Sequence, residues 1–156
     1  VSDILFNITR GQKSELHLRV NANDPTNAVL VIVAVVSTDT QAVLEDVDDL
    51  TELLALSNTA EATNSGYSRL ILTDTDLEDI RVNHTTNTME LDLTNDPVFS
   101  SVSDGDNWTH LVFCYDSDST SGSDSNIIPM TMHDFVVTPN GGDITVGIDP
   151  VGYCRS

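Results

Sequence analysis

The sequence predicts a mostly β fold: a single-domain antiparallel β-sandwich or barrel-like structure carrying one amphipathic helix at about residues 43–56. Three observations lead there. Hydrophobic residues are 39% of the chain but aromatics only 5%, so the core must be built from Val, Ile and Leu, which suit a pleated surface better than a helix. Apolar residues alternate or recur in short runs, as they do in strands. The runs are separated by clusters of Asp, Asn, Ser, Thr and Gly that supply turn geometry. At 156 residues the chain fits one domain able to bury a core without staples. No repeat, heptad or linker divides it, so the domain is read as residues 1–156.

The elements follow in order. "LHLRV" alternates Leu16, Leu18 and Val20 as a strand does, while the wider "KSELHLRVN" also closes into a short helix, and both readings stand. "NDPTN" is a turn, because Pro25 fixes φ and the Asn and Asp side chains bond to local backbone. "AVLVIVAVV" then reads as a strand buried on both faces. In "VLEDVDDLTELLAL" the residues Val43/Leu44, Val47, Leu50 and Leu53/Leu54 form one helical stripe, and the acids gather toward the N-terminus, where the helix dipole favours them. "SNTAEATNSG" has the composition of a loop, and "YSRLILT" alternates as a strand. "DIRVNHTTNTMELDL" reads as a hairpin with Ile80 and Val82 inward on one arm, Met89, Leu91 and Leu93 on the other, and "HTTN" turning between. "WTHLVFCY" and "NIIPMTM" bracket the acidic stretch Asp116 to Asn126. "DFVVTPNGGDITVGI" reads as a further pair of strands around Asn140-Gly141-Gly142.

Composition narrows function. The formal net charge is −19, from 25 acidic residues against six Lys and Arg, and such a surface repels phosphate backbones and anionic lipid alike. Neither nucleic acid nor membrane is expected as a partner. "VSDILFNITR" lacks the basic start and apolar middle of a signal peptide, and the longest apolar run, Ala28 to Val36, is too short for a membrane helix. A single lysine with abundant Asp and Thr is a pattern of proteins working in salty water, where screening weakens carboxylate repulsion. The cysteines Cys114 and Cys154 are expected as reduced core residues. Asn-x-Thr triplets at Asn7, Asn83 and Asn107 are what chance gives in a chain this rich in Asn and Thr.

No catalytic constellation stands out. The acidic stretch offers Asp116, Asp118, Thr120 and Asp124 at alternate positions, as calcium loops do, but Ser121 sits where the sharp-turn glycine belongs and Ile127 where the bidentate acid belongs. Asp116, Asp118 and Asp124 are therefore weak metal candidates, and the stretch is expected to be a solvated turn held by Asx- and Ser-turns. His17, His84, His110 and His133 lack metal-ligand spacing. There is no glycine-flanked nucleophile serine, phosphate-cradling loop or dinucleotide turn, and in so acidic a chain two neighbouring carboxylates say nothing about catalysis. The expectation is a protein that is not an enzyme and needs no cofactor.

The second half, "LVFCYDSDSTSGSDSNIIPMTMHDFVVTPNGGDITVGIDPVGYCRS", resembles a family of small virion structural proteins of tailed bacteriophages. The likeness lies in a Val-Cys-Tyr-Asp strand end, an Asp/Ser/Thr/Gly turn, an Ile-Pro strand, an Asp-Phe strand followed by Thr-Pro, and a Gly-aromatic-Arg-Ser ending. Upstream, "NDPTNAVLVIVAV", "DVDDLTELLA" and "GYSRLILTD" fall where such proteins carry a turn, a buried strand, an Asp-Leu-rich helix and an Arg-bearing strand. Cys154 and the alternating "HLRV" depart from the pattern, which has a more helical start.

The resemblance implies a capsid decoration or cement protein on the outer capsid surface, assembled in the host cytoplasm, with the major capsid protein as partner. It binds as a homo-oligomer, a trimer on local three-folds. The alternatives are a tail- or fibre-associated attachment module and a calcium-dependent glycan-binding domain. Residues 1–20 are expected to be the attachment segment, through the locally basic Arg10, Lys13 and Arg19 and the apolar Ile4, Leu5 and Phe6, because an acidic protein aims its few cations at the interface. The competing reading is that these cations neutralise the protein's own carboxylates.

Overall fold

The computed structural model describes residues 3–150 and 152–155. Its spine is a six-stranded antiparallel sheet in the order β1-β9-β8-β2-β3, with β4 also on β2. These strands are β1 (Ile4–Leu5), β2 (Val29–Ser37), β3 (Thr59–Glu61), β4 (Leu70–Leu72), β8 (Trp108–Asp116) and β9 (Ile127–Val137). Two smaller sheets lie on one side. One pairs β5 (Arg81–Asn83) with β6 (Thr88–Leu91) and β6 with β11 (Cys154–Arg155), and the other pairs β7 (Val98–Phe99) with β10 (Ile144–Thr145). The fold is thus mostly β and sandwich-like, and no barrel closes.

β2 has no polar residue from Val29 to Val36 because both its faces are covered. Leu30, Ile32 and Ala34 join a core with Phe113, Trp108, Leu91, Phe99 and Tyr153, under α1 (Lys13–Asn21) and the small sheets. Val29, Val31, Val33 and Val35 join a second core with Val112, Cys114, Phe6 and the short helices α2 (Gln41–Leu44) and α3 (Leu50–Ala55). Cys114 therefore packs on one side of the central sheet and Cys154 against the core on the other. Both are free thiols, and burial pushes the Cys114 thiol pKa up.

Several expectations are corrected. "KSELHLRVN" is the helix α1, not a strand: Lys13, Leu16, His17 and Val20 are its buried residues, a spacing of three and four, while Leu18 is 48% exposed. The single helix at 43–56 is two helices. Its stripe is kept, with Leu44, Val47, Leu50 and Leu53 all buried, but Asp49 stops propagation by capping a new start, its carboxylate accepting from Glu52 N at 2.9 Å while Glu52 accepts from Asp48 N. The presumed loop "SNTAEATNSG" contains β3, whose strand state comes from pairing with β2. "DFVVTPNGGDITVGI" does not form a hairpin with itself, since Phe135 to Val137 continue β9 and β10 crosses to β7. The hairpin β5–β6 forms, but Val82, paired with Met89, is 56% exposed because it lies near the turn, beyond the core that takes Leu91 and Leu93.

Two irregularities in the β8–β9 ladder shape the interior. A register shift between Trp108 and His110 lets Trp108 enter the core of Phe99 while His110 stays on the side of Val112, which a regular two-residue period forbids. The second falls between Phe113 and Cys114, where Met130 has no partner of its own and Pro129 sits opposite Cys114. Proline inside a sheet is tolerated at such a bulge.

Candidate functional site

The acidic stretch is the connection of the hairpin β8–β9, and its tip is built, not loose. Asp116 accepts from Asp118 N at 3.0 Å and Asp118 from Thr120 N at 3.0 Å, the expected Asx-turns. Thr120 Oγ1–H also donates to Asp118, and this bond leads in holding the Asp118 pKa down. The solvated reading needs correction at two residues. Asp116 is buried, and Asp124 is clamped by Arg69 at 2.6 and 3.0 Å, with the same guanidinium held by Glu61 at 2.6 and 2.8 Å. That bond lowers the Asp124 pKa. The weak metal candidates Asp116, Asp118 and Asp124 do not converge: among the described residues no group of three or more His, Cys, Asp and Glu side chains is placed to hold a metal ion.

The N-terminal segment divides. Ile4 and Phe6 are buried in the protein's own core, because β1 pairs with β9 at Met132 and Thr131 and Phe6 N bonds to Met130 O. They are not surface contacts. Arg10 pairs with Glu45 at 3.0 Å and Arg19 with Glu15 at 2.6 Å, one helical turn away. Lys13 is buried. The basic cluster is thus divided among three surroundings. Arg69 and Arg81 are likewise paired, Arg81 with Asp92 and Glu78.

What the segment does build is a cleft. Ile4, Leu5 and Lys13 line one lobe of about 420 Å3 together with Asp3, Thr131, His133, Asp149, Gly152, Tyr153 and Cys154. A second lobe of about 240 Å3 shares Asp3, His133, Asp149, Gly152 and Tyr153 and has Leu111, Phe113, Phe135, Val146 and Ile148 among its walls. The larger lobe is of ligand-binding size and the smaller falls below that range. Asp3 is one of the five residues that line both. One of its oxygens accepts from Asp134 N at 3.0 Å, and the other lies 3.2 Å from His133 Nδ1, with the side chain still 66% exposed. His133 is held on its second nitrogen by Thr131 Oγ1 at 3.0 Å and edge-on to Phe113. Across the sheet, His110 Nε2 lies 3.1 Å from Asp134.

Tyr153, in the wall common to both lobes, stacks on Phe113 with centroids 4.9 Å apart. Its hydroxyl reaches His17 Nδ1 at 3.0 Å, and His17 Nε2 reaches Glu78 O at 2.8 Å. A carbonyl only accepts, so Nε2 carries the proton and Nδ1 accepts from the tyrosine. His17 is fully buried, and desolvation lowers its pKa. Sequence reasoning passed over Asp3 and Asp149 and met Tyr153 only as the aromatic of the Gly-aromatic-Arg-Ser ending, because the three are spread along the chain and match no site motif. The one available signal was the clustering of Gly152, Tyr153 and Cys154 near the end.

No family model, curated protein or solved structure matches the chain. No helix of the described residues is long and apolar enough to cross a membrane.

Proposed function

We propose that the protein is a virion structural component of a tailed bacteriophage, a decoration protein that binds the outer capsid surface and stabilises the shell. The observation that carries this reading is the hairpin β8–β9. The segment whose sequence resembles such proteins begins within it, and it folds as the longest hairpin of the central sheet, with its acidic tip fixed by Arg69. The molecule therefore offers a long paired hairpin with a fastened acidic tip, which suits a subunit that adds to a lattice without reshaping. The helical start at α1 also agrees with the pattern of those proteins. Shell stabilisation would come from area buried across neighbouring capsid subunits and repeated at every equivalent site, so that a modest contact per copy gives a large sum. A homotrimer on the local three-folds and the major capsid protein as partner belong to the same proposal.

The test is the copy number on purified particles, by quantitative mass spectrometry. A number on the scale of the capsid lattice supports decoration, and particles stripped of the protein should then disassemble at lower temperature. A handful of copies overturns it in favour of a tail- or fibre-associated module, and absence from particles overturns both.

A further inference from the structure

We propose that Asn140-Gly141 is a site of spontaneous covalent modification, in which the asparagine closes on the following backbone nitrogen and ends as aspartate or isoaspartate, and that the fold holds the reaction back by occupying that nitrogen. Asn140 is the only asparagine of the chain followed by glycine, the residue that hinders the attacking nitrogen least. The turn itself calls for this pair. Gly141 has φ +91°, a conformation that side chains resist although nothing lies within 4 Å of a Cβ there. Asn140 Oδ1 accepts from Gly142 N at 3.1 Å, an Asx-turn. Asn140 to Asp143 are exposed, between the buried Pro139 and Ile144, so water reaches the reacting groups.

The Gly141 nitrogen, having lost its proton to hydroxide, attacks Asn140 Cγ. The bond from that nitrogen to Cγ forms, the bond from Cγ to Nδ2 breaks, and ammonia leaves with a proton from water. Water then opens the cyclic imide: cleavage at Cγ gives aspartate, and cleavage at the main-chain carbonyl gives isoaspartate, whose chain runs through Cγ. In sum one water is taken up and one ammonia is released. In the folded chain the nitrogen is engaged. Gly141 N–H donates to Val102 O at 2.7 Å and Val102 N–H donates back to Gly142 O at 3.1 Å, while Ser101 N donates to Asp143 Oδ1 at 2.8 Å. Val102 is fully buried, so the acceptor is shielded from water. Deprotonation and attack therefore wait until the turn leaves Val102, the same opening that admits hydrogen exchange. The two products differ in consequence. Aspartate keeps an acceptor for Gly142 N, and the turn recloses. Isoaspartate lengthens the main chain by one carbon, which puts Gly141 N and Gly142 O out of step with Val102 and loosens β10, whose Ile144 pairs with Phe99. Each copy thus keeps a record of the time its turn has spent open.

The experiment ages the full chain in mildly alkaline buffer, folded and in urea, beside the peptide acetyl-Thr-Pro-Asn-Gly-Gly-Asp-amide. Proteolysis with mass spectrometry locates the deamidated residue, chromatography separates aspartate from isoaspartate, and hydrogen exchange reports the protection of Gly141 N–H. The unfolded chain and the peptide should deamidate at equal rates. The folded chain should do so at least roughly tenfold more slowly, the factor at the upper end of one net hydrogen bond, and the slowing should match the protection of Gly141 N–H. Asp143→Ala, which removes the acceptor of Ser101 N, should quicken exchange and deamidation in parallel. Asn140→Asp should melt as the unaltered chain does, whereas the isoaspartate form purified from aged material should melt lower. Equal rates in the folded and unfolded chain, a folded rate out of proportion to the protection of Gly141 N–H, faster deamidation of the unfolded chain at another asparagine, or an isoaspartate form as stable as the Asn140→Asp variant would each overturn the proposal.

Discussion

At the scale of single residues, the acidic side chains of the β8–β9 connection are unequal. Asp124 shares Arg69 with Glu61 in a partly sheltered pair, whereas Asp118 bonds chiefly to Thr120 within its own turn. Asp124→Asn should lower stability by on the order of 1 kcal/mol, the upper range for a pair this exposed. Asp118→Asn should stay within about 0.5 kcal/mol, as surface changes do. Urea unfolding of the two variants side by side is the check, and equal costs would mean that Arg69 does not fasten the tip. His17 gives a different signature. Its folded pKa lies below the ordinary 6.5, so the unfolded chain binds more protons below that pH, and stability present above it is lost as pH falls toward the lowered value. The depressed carboxylates Asp39, Asp106 and Asp124 add a second loss only below the usual carboxylate pKa, near about 4. His17→Gln offers a donor to Glu78 O and an acceptor to Tyr153 without titrating. Melting temperature against pH should lose its upper acid step in this variant and keep the lower one.

At the scale of elements, the C-terminal segment is held by close approach. Gly152 has φ +97°, and a Cβ there would meet Leu91 O at 2.1 Å, while Tyr153 N bonds to that same carbonyl. Gly152→Ala should therefore detach β11 from β6 and destabilise by roughly 2 kcal/mol or more, whereas Gly147→Ala, with open space around its Cβ, should be nearly neutral. Hydrogen exchange at Tyr153 N–H reads the difference. How legible each element was in the sequence follows from where its structure is decided. β2 was readable because a run of Val, Ile and Leu buried on two faces specifies itself locally, and β8 and β9 because each holds a mostly apolar run bounded by the turn-forming residues between them. The break between α2 and α3 was hidden because the apolar stripe runs through it unbroken, and only the Asp49 side chain, accepting from Glu52 N, ends one helix and begins the next. β3 is Thr-Ala-Glu, with no strand signal, and exists because β2 offers a partner. The bulges that send Trp108 and Met130 into the same core are properties of pairing, which periodicity along one strand does not contain. The cleft was half visible: the N-terminal segment was singled out, but Ile4 and Phe6 point into the core and the segment's polar partners arrive from residues 131–154.

At the scale of the whole molecule, charge and core oppose one another. The two apolar clusters on either side of the central sheet supply the cohesion, and 25 acids against six cations supply self-repulsion that screening relieves. Melting temperature should rise with sodium chloride through the range in which the Debye length shrinks from about 30 Å to about 8 Å. The Arg69 and Arg81 clusters work against this trend by losing attraction in salt, so a flat profile would show that local pairs outweigh the global field.

The short strands β3 and β4 sit end to end along one margin of β2, and in the gap between them Ala34 N donates to Tyr67 OH at 3.0 Å while Ala62 N donates to Ala34 O. The most apolar strand of the protein is thus sealed on that side by residues 59–72, but on the other side only by β8, which a ribosome delivers long afterwards. During synthesis the nascent chain carries a Val-rich strand with one margin open and its faces covered only in part, by α1 on one and by α2 and α3 on the other, a form prone to pair with a neighbouring copy. Production of this protein in quantity is therefore a problem of timing. The acidic residues that crowd the stretch between β2 and β8 give the unfinished chain a mutual repulsion that opposes such pairing until Trp108 to Asp116 closes the sheet.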